Sequence, residues 1–149
     1  MIALIQRVSR AHVEVNGETI ATVGRGLLAL IGVEAGDSAA TATRLLERVL
    51  AYRVFPDAEG RMNLDLRQIG GGLLLVPQFT LAADTSKGNR PGFSTTAAPA
   101  VAESLFRLMV EQARALHPGV QAGAFGADMQ VSLVNDGPAT FNLRVPPIS

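Results

Sequence analysis

Apolar residues recur along this chain with two periods, and the switches between them mark its elements. Ile2–Val8 is largely apolar and reads as a buried strand, whereas Ala11–Val15 alternates apolar and polar positions. Asn16-Gly17 is a two-residue hairpin signal, which makes Thr19–Val23 the returning strand. Beyond Gly24-Arg25-Gly26, the apolar run Leu27–Val33 suits a central strand. The period then lengthens. Ala42, Leu45, Leu46, Val49 and Leu50 predict a helix over Ser38–Ala51, with Asp37 or Ser38 as its cap.

A short strand is expected around Tyr52–Phe55, ended by a Pro56–Gly60 turn. Gly70-Gly71-Gly72 punctuates the chain before a strand over Leu73–Phe79. The stretch Asp84–Thr96 shows no apolar period, and loops of that length are usually functional or mobile. Pro99 fits the first turn of a second helix running to about Leu116, with Val101, Leu105, Leu108, Met109 and Gln112-Ala113 as its stripe. His117-Pro118-Gly119 stops it, and strands near Val120–Ala122, Met129–Val134 and Phe141–Val145 follow. The order predicts a mixed α/β fold, one domain over residues 1–149. Two main helices pack on mostly antiparallel sheet with a hairpin at each end, and the crossovers permit some parallel pairing.

Charged residues are 17% of the 149, against roughly 25% in average soluble proteins, which points to extensive buried surface and to a subunit interface. Formal net charge is zero, so composition gives no electrostatic footprint for nucleic acid, although a cleft could still gather some of the 12 arginines and the single lysine, Lys87. With no cysteine, disulfides, thiol nucleophiles and thiolate metal sites are excluded. Met1–Arg7 does not read as a signal peptide, and no apolar run approaches the roughly 20 residues that span a bilayer. A soluble cytoplasmic protein with no membrane partner is expected.

Few side chains are candidates for chemistry. His12 lies in the alternating strand and His117 before a helix-ending Pro-Gly, neither with a local Asp or Glu to orient it, so both read as structural. No His/Asp/Glu cluster has metal-ligand spacing. Gly70-Gly71-Gly72 precedes a strand rather than opening a helix, which makes it a turn and not a phosphate cradle. Thr80, at a strand end, could be an activated nucleophile, but no base stands near it in sequence. Asn135-Asp136-Gly137-Pro138 is ordinary turn punctuation when taken alone.

Taken together, the segments look different. Arg7, Asp57-Ala58-Glu59-Gly60, Met62-Asn63-Leu64, Gln78-Phe79-Thr80-Leu81, Arg90-Pro91 and Ala127–Pro138 occur in one order that closely resembles the bacterial D-aminoacyl-tRNA deacylase family, from Met1 to about Val145. The resemblance implies hydrolysis of the ester joining a D-amino acid, or a misplaced glycine, to the 3′ end of a tRNA. It implies a homodimer with no metal or organic cofactor and with the active site at the subunit interface. Gly137-Pro138, joined by a cis bond in the family, would reach from one subunit into the pocket of the other. Gln78, Phe79 and Thr80 would line the site, with the amides of Phe79 and Thr80 facing the ester. Arg7 would hold the Gly-Pro segment, and Ala102, Phe125 and Met129 would shape the pocket for terminal adenosine and aminoacyl group. Lys87 and Arg90 could form a modest phosphate-contacting rim, since a single-stranded acceptor end needs less charge than a duplex.

One position departs from the family pattern. Where its motif usually begins with Ser, this chain has Pro77, which lacks both the hydroxyl and a backbone donor. Two other readings accompany the main one: a related deacylase with a trans Gly-Pro bond acting on small L-aminoacyl-tRNA, and a catalytically silent tRNA-binding protein.

Overall fold

The computed structural model describes all residues from Met1 to Ser149. Its backbone frame is the long strand β1 (Ile2–Val15), which turns through Asn16-Gly17 into β2 (Glu18–Val23) and continues through β3 (Gly26–Gly32). Both turn residues have positive φ, 52° at Asn16 and 78° at Gly17, the conformation a tight hairpin demands. Helix α1 (Ala39–Ala51) follows, then a two-stranded hairpin of β4 (Phe55–Pro56) and β5 (Met62–Leu64). A single-turn helix α2 (Leu66–Ile69) leads into β6 (Gly72–Pro77), a 3-10 turn at Phe79–Ala82, helix α3 (Pro99–Leu116), β7 (Val120–Ala122) and β8 (Gln130–Arg144).

The main sheet runs β2-β1-β3-β6-β7, with β8 on the other side of β1. Pairings around β1 are antiparallel, while β3–β6 and β6–β7 are parallel, joined by crossovers that carry the helices. Both faces of the sheet are apolar, which explains the unbroken run in β3. Leu27, Ala29 and Ile31 join the larger core under α1 and α3, and Leu28 joins a second cluster with Val8, Val13, Val23, Leu74 and Val76. Buried Leu45, Leu46, Val49 and Leu50 fix α1, each contributing about 1.5–3 kcal/mol. No helix is long and apolar enough to cross a membrane.

Several expectations change. Ser38 is the cap of α1, in a reciprocal box with Thr41, because the Asp37 carboxylate instead accepts from the Met1 ammonium at 2.9 Å and from the Glu34 amide at 2.7 Å. The short strand after α1 begins at Phe55 rather than Tyr52, and the strand expected to reach Phe79 ends at Pro77. In α3 the stripe is rotated: Ala102, Phe106 and Val110 are buried with Leu105, Met109 and Ala113, whereas Val101 is 46% exposed. There is no C-terminal hairpin. Gln130–Arg144 is one strand lying antiparallel along β1, so Asn135–Thr140 is an interruption within a strand rather than a turn between two.

Candidate active site

The last strand bond of β6 is made by the Gln78 amide, which donates to the Ile31 carbonyl at 2.8 Å. The chain then tightens into the 3-10 turn, whose first internal bond runs from the Leu81 amide to the Gln78 carbonyl at 3.2 Å. The amides of Phe79 and Thr80 precede that bond and have no carbonyl within the turn to satisfy them. Gly32 makes the turn's position possible. A Cβ there would lie 2.8 Å from Leu81 Cβ and 3.2 Å from the Gln78 carbonyl oxygen, so the turn packs directly on the end of β3. The Thr80 hydroxyl accepts from Gln78 Nε2 at 2.6 Å. No imidazole or carboxylate is bonded to it, so it lacks the partner an activated nucleophile requires.

Beside this turn lies a cavity of about 600 Å³ whose lining includes Gln78, Phe79, Ala102, Phe125 and Met129. These come from the end of β6, the first turn of α3 and the segment before β8, regions far apart in sequence. Pro77, Phe93 and Asp128 also line it, and of these Phe93 and Asp128 had not been singled out as site residues. Thr80, Arg7, Gly137 and Pro138 do not line it. A smaller concavity of about 330 Å³ beside α1, with Arg44, Arg48 and Arg67 in its wall, contains none of the expected residues.

Pro77 costs the sheet nothing. In a strand, successive amides face opposite neighbours. Leu73 donates toward the β7 side, to the Gly119 carbonyl at 3.1 Å, and Gln78 donates to β3. Residue 77 would therefore donate toward β7, whose pairing with β6 ends at Leu75–Ala122. The missing donor falls where there is no strand to receive it.

Gly137 and Pro138 occupy a different place, and the bond between them is cis. Val8 pairs with Asn135 and Gln6 with Thr140, so the four residues Asp136–Ala139 stand opposite Arg7 alone and bulge from the ladder. Arg7 holds that bulge. Its Nε donates to the Asp136 carbonyl at 2.9 Å and lies 3.3 Å from Asp136 Oδ2, while Nη1 donates to the Val54 carbonyl at 2.7 Å. Asn135, in the motif but not assigned a role from sequence, closes the base. Its Nδ2 donates to the Arg7 carbonyl at 3.0 Å and the Ala139 carbonyl at 3.3 Å. Gly137 and Pro138 are exposed.

The Asp57–Asn63 segment fixes the hairpin that begins just after Val54. Asp57 accepts from Asn63 Nδ2 at 2.9 Å and from the amides of Arg61 and Glu59, bonds that hold its carboxyl below the ordinary range. The histidines stand apart from the cavity. Buried His117 donates from Nε2 to the Gly71 carbonyl at 2.6 Å, tying the end of α3 to the start of β6. His12, expected to have no acidic neighbour, has Glu14 Oε1 at 3.1 Å. Residues i and i+2 of a strand share a face, so this pairing is already implied by the strand period in the sequence.

Comparison with known proteins identifies the family of the chain. The family model described as D-Tyr-tRNA(Tyr) deacylase matches residues 4–144. The chain belongs to that family. It is 60% identical over 147 residues to the D-aminoacyl-tRNA deacylase of Thioalkalivibrio sulfidiphilus, covering 99% of each chain. To the D-aminoacyl-tRNA deacylase of Methylococcus capsulatus it is 58% identical, covering 99% of this chain and 96% of that one. Among solved structures, the c-Myc DNA Unwinding Element Binding Protein superposes with a TM-score of 0.94 at 36% identity, over 98% of this chain and 99% of that one. A probable eukaryotic D-amino acid tRNA deacylase shares the fold, with a TM-score of 0.80 at 18% identity. In this member of the deacylase family, the cavity beside the 3-10 turn and the Gly137-Pro138 bulge clamped by Arg7 and Asn135 are separate features of one chain.

Proposed function

We propose that this protein hydrolyses the ester of D-aminoacyl-tRNA, and of mischarged glycyl-tRNA, releasing the free amino acid and the tRNA. The observation that carries this reading is the cavity itself: Gln78, Phe79, Ala102, Phe125 and Met129 converge on it in a chain that matches the deacylase family over residues 4–144. A volume of about 600 Å³ lies within the size range of small-ligand sites and suits an aminoacyl group with its terminal adenosine.

The chemistry asks little of side chains. An aminoacyl ester is already activated, and preorganised amide donors aimed at a developing oxyanion are worth roughly 10²–10³ in rate apiece. Phe79 and Thr80 have the amides that the 3-10 turn leaves outside its own bonding. Water, activated by the terminal 2′-hydroxyl of the substrate, adds to the ester carbon. The acyl–oxygen bond then breaks, and the 3′ oxygen leaves with a proton. Thr80 stands beside the cavity rather than in its lining, and its part in this reading is its amide rather than its hydroxyl.

Selection against L-residues is assigned to Gly137 and Pro138 of a second subunit in a homodimer. Both residues are exposed, outside their own subunit's cavity, and clamped by Arg7 and Asn135. With ester and amino group fixed, an L side chain would meet that backbone and a D side chain would point away from it. This is selection by exclusion. Glycine, with no side chain, escapes the filter. The substrate locates the protein in the cytoplasm.

The test is deacylation of D-Tyr-tRNA, L-Tyr-tRNA and Gly-tRNA side by side. Loss of D-Tyr and Gly with L-Tyr spared supports the reading. Tight tRNA binding by a folded dimer without any turnover would sink it and favour a silent binder, the reading to which Pro77 gives its motive.

A further inference from the structure

Two large aromatic rings at the cavity are left largely uncovered by the chain's own residues. Phe79 is 57% exposed and Phe93 is 47% exposed, with ring centroids 5.6 Å apart and planes tilted by 46°. Both line the cavity. Single exposed apolar residues are unremarkable on a protein surface, but a contacting aromatic pair at the rim of a site is a stacking surface. We propose that Phe93, supported by Phe79, stacks the nucleobase that precedes the terminal adenosine of the substrate, with Lys87 and Arg90 of the same loop meeting the adjoining phosphates. This rests on the tRNA-ester reading above and assigns a residue to a further part of the substrate.

The loop is built to present the ring without ordering it first. Asp84 and Gly92 exchange amide-to-carbonyl bonds of 2.8 and 2.9 Å, which pinch off the 85–91 tip. Thr96 Oγ1 donates to the Phe93 carbonyl at 2.7 Å, and Thr95 Oγ1 donates to the Ala82 carbonyl at 2.5 Å, tying Phe93 to the end of the 3-10 turn. The Ala97 amide donates to the Val33 carbonyl at 3.0 Å. Phe93 is therefore held from both sides, so binding loses little to immobilisation. On the tip, Lys87 and Arg90 form none of the chain's ion pairs. The Asp84 carboxylate is occupied by the amide and hydroxyl of Ser86, at 2.9 and 2.6 Å. Free cations beside exposed aromatics form the usual surface for single-stranded nucleic acid, in which stacking tolerates any base and cations follow the backbone. In a chain of zero net charge, stacking carries much of the grip.

The experiment compares two D-Tyr esters, one on adenosine alone and one on cytidylyl-adenosine, with wild type, Phe93→Ala and Phe93→Tyr. Stacking of one base changes affinity by roughly 5- to 150-fold. The wild-type KM should therefore be at least about fivefold lower for the dinucleotide ester. In Phe93→Ala that ratio collapses toward one, and Phe93→Tyr keeps it. A purely structural role for Phe93 would raise both KM values together and leave the ratio intact, which overturns the proposal, as does a wild-type ratio of one. A change of oligomeric state in Phe93→Ala by sedimentation would make the ring an interface residue and also overturn it. If wild type cleaves neither ester nor D-Tyr-tRNA, the functional reading itself falls, and this inference with it.

Discussion

Gly32→Ala is the sharpest test of whether the 3-10 turn is catalytic machinery. The added Cβ would stand 2.8 Å from Leu81 Cβ, about 0.6 Å inside the 3.4 Å at which ordinary contact begins, and 3.3 Å from the Ala82 amide nitrogen. Leu81 Cβ is attached to the main chain, so no rotamer change relieves the clash. Strand β3 cannot retreat, because Gly32 pairs with Ile2 on one side and Ile31 with Pro77 on the other. The turn must move instead. Overpacking of this kind costs about 1–3 kcal/mol, and a misplacement of about 1 Å in a site can cost 10² in rate. A shift near half that size should lower kcat by roughly tenfold. The assay is kcat and KM on D-Tyr-tRNA beside thermal unfolding. Val49→Ala serves as the control, a lesion inside the α1 core where Val49 is fully buried. It should lower stability by a similar amount and leave kcat intact. Wild-type kcat in folded Gly32→Ala would refute the idea that the turn's position sets the rate.

Other outcomes follow from particular contacts. Thr80→Ala should keep most activity, because the hydroxyl is bonded only to Gln78 Nε2; a loss above roughly 10³-fold in kcat would make it a nucleophile instead. Arg7→Ala releases two carbonyls from one guanidinium and should cost about 1–3 kcal/mol in urea unfolding, with a larger fractional loss of activity than of stability. Arg7→Lys should not restore activity, since an ammonium cannot reproduce the fork that reaches Asp136 and Val54 together. Burial pushes the Glu34 carboxyl up, but its bonds to Arg144 and to the Met1 ammonium outweigh that and leave it below its usual value. Its contribution is therefore fully present above the unfolded value of 4.5 and lost as pH falls through the lower folded value. Glu34→Gln should be less stable than wild type at pH 7, and the gap should narrow in strong acid; an equal gap at both would contradict the assignment.

Where a local signal and the tertiary environment agreed, the sequence was legible. The spacing of Leu45, Leu46, Val49 and Leu50 fits α1 because all four meet one core, and Asn16-Gly17 is a hairpin whatever surrounds it. The C-terminal strand was misread for the opposite reason. Asp136-Gly137-Pro138 is turn punctuation by any local rule, but β1 continues alongside and holds both flanks in one ladder. The stripe of α3 was rotated because Val101 outranks Ala102 in hydrophobicity, although close packing at the cavity wall favours the smaller side chain. The cavity itself has no local signature. Gln78, Ala102 and Phe125 are brought together by parallel crossovers, and only a family-level pattern links them in advance. Phe93 was invisible for the same reason.

The separation of the two features along β1 gives the proposed dimer its mechanistic part. The 3-10 turn sits on Gly32, which pairs with Ile2, while the Gly137-Pro138 bulge stands opposite Arg7. Those positions on β1 are separated by five strand steps, about 16 Å at roughly 3.3 Å per residue. If both features act on one ester, which is only a few ångströms across, a second copy of the chain is the source that brings a bulge to the turn in this proposal. Subunit mixing tests this directly. A Gly32→Ala subunit retains a sound bulge, and an Arg7→Ala subunit retains a sound turn. After denaturation and refolding together, random pairing makes half of the dimers mixed, and each mixed dimer has one site built from two intact parts. The mixture should then recover about a quarter of wild-type activity, well above either parent. A mixture no more active than the average of its two parents would show that each subunit works with its own turn and bulge, and the shared site would have to be abandoned.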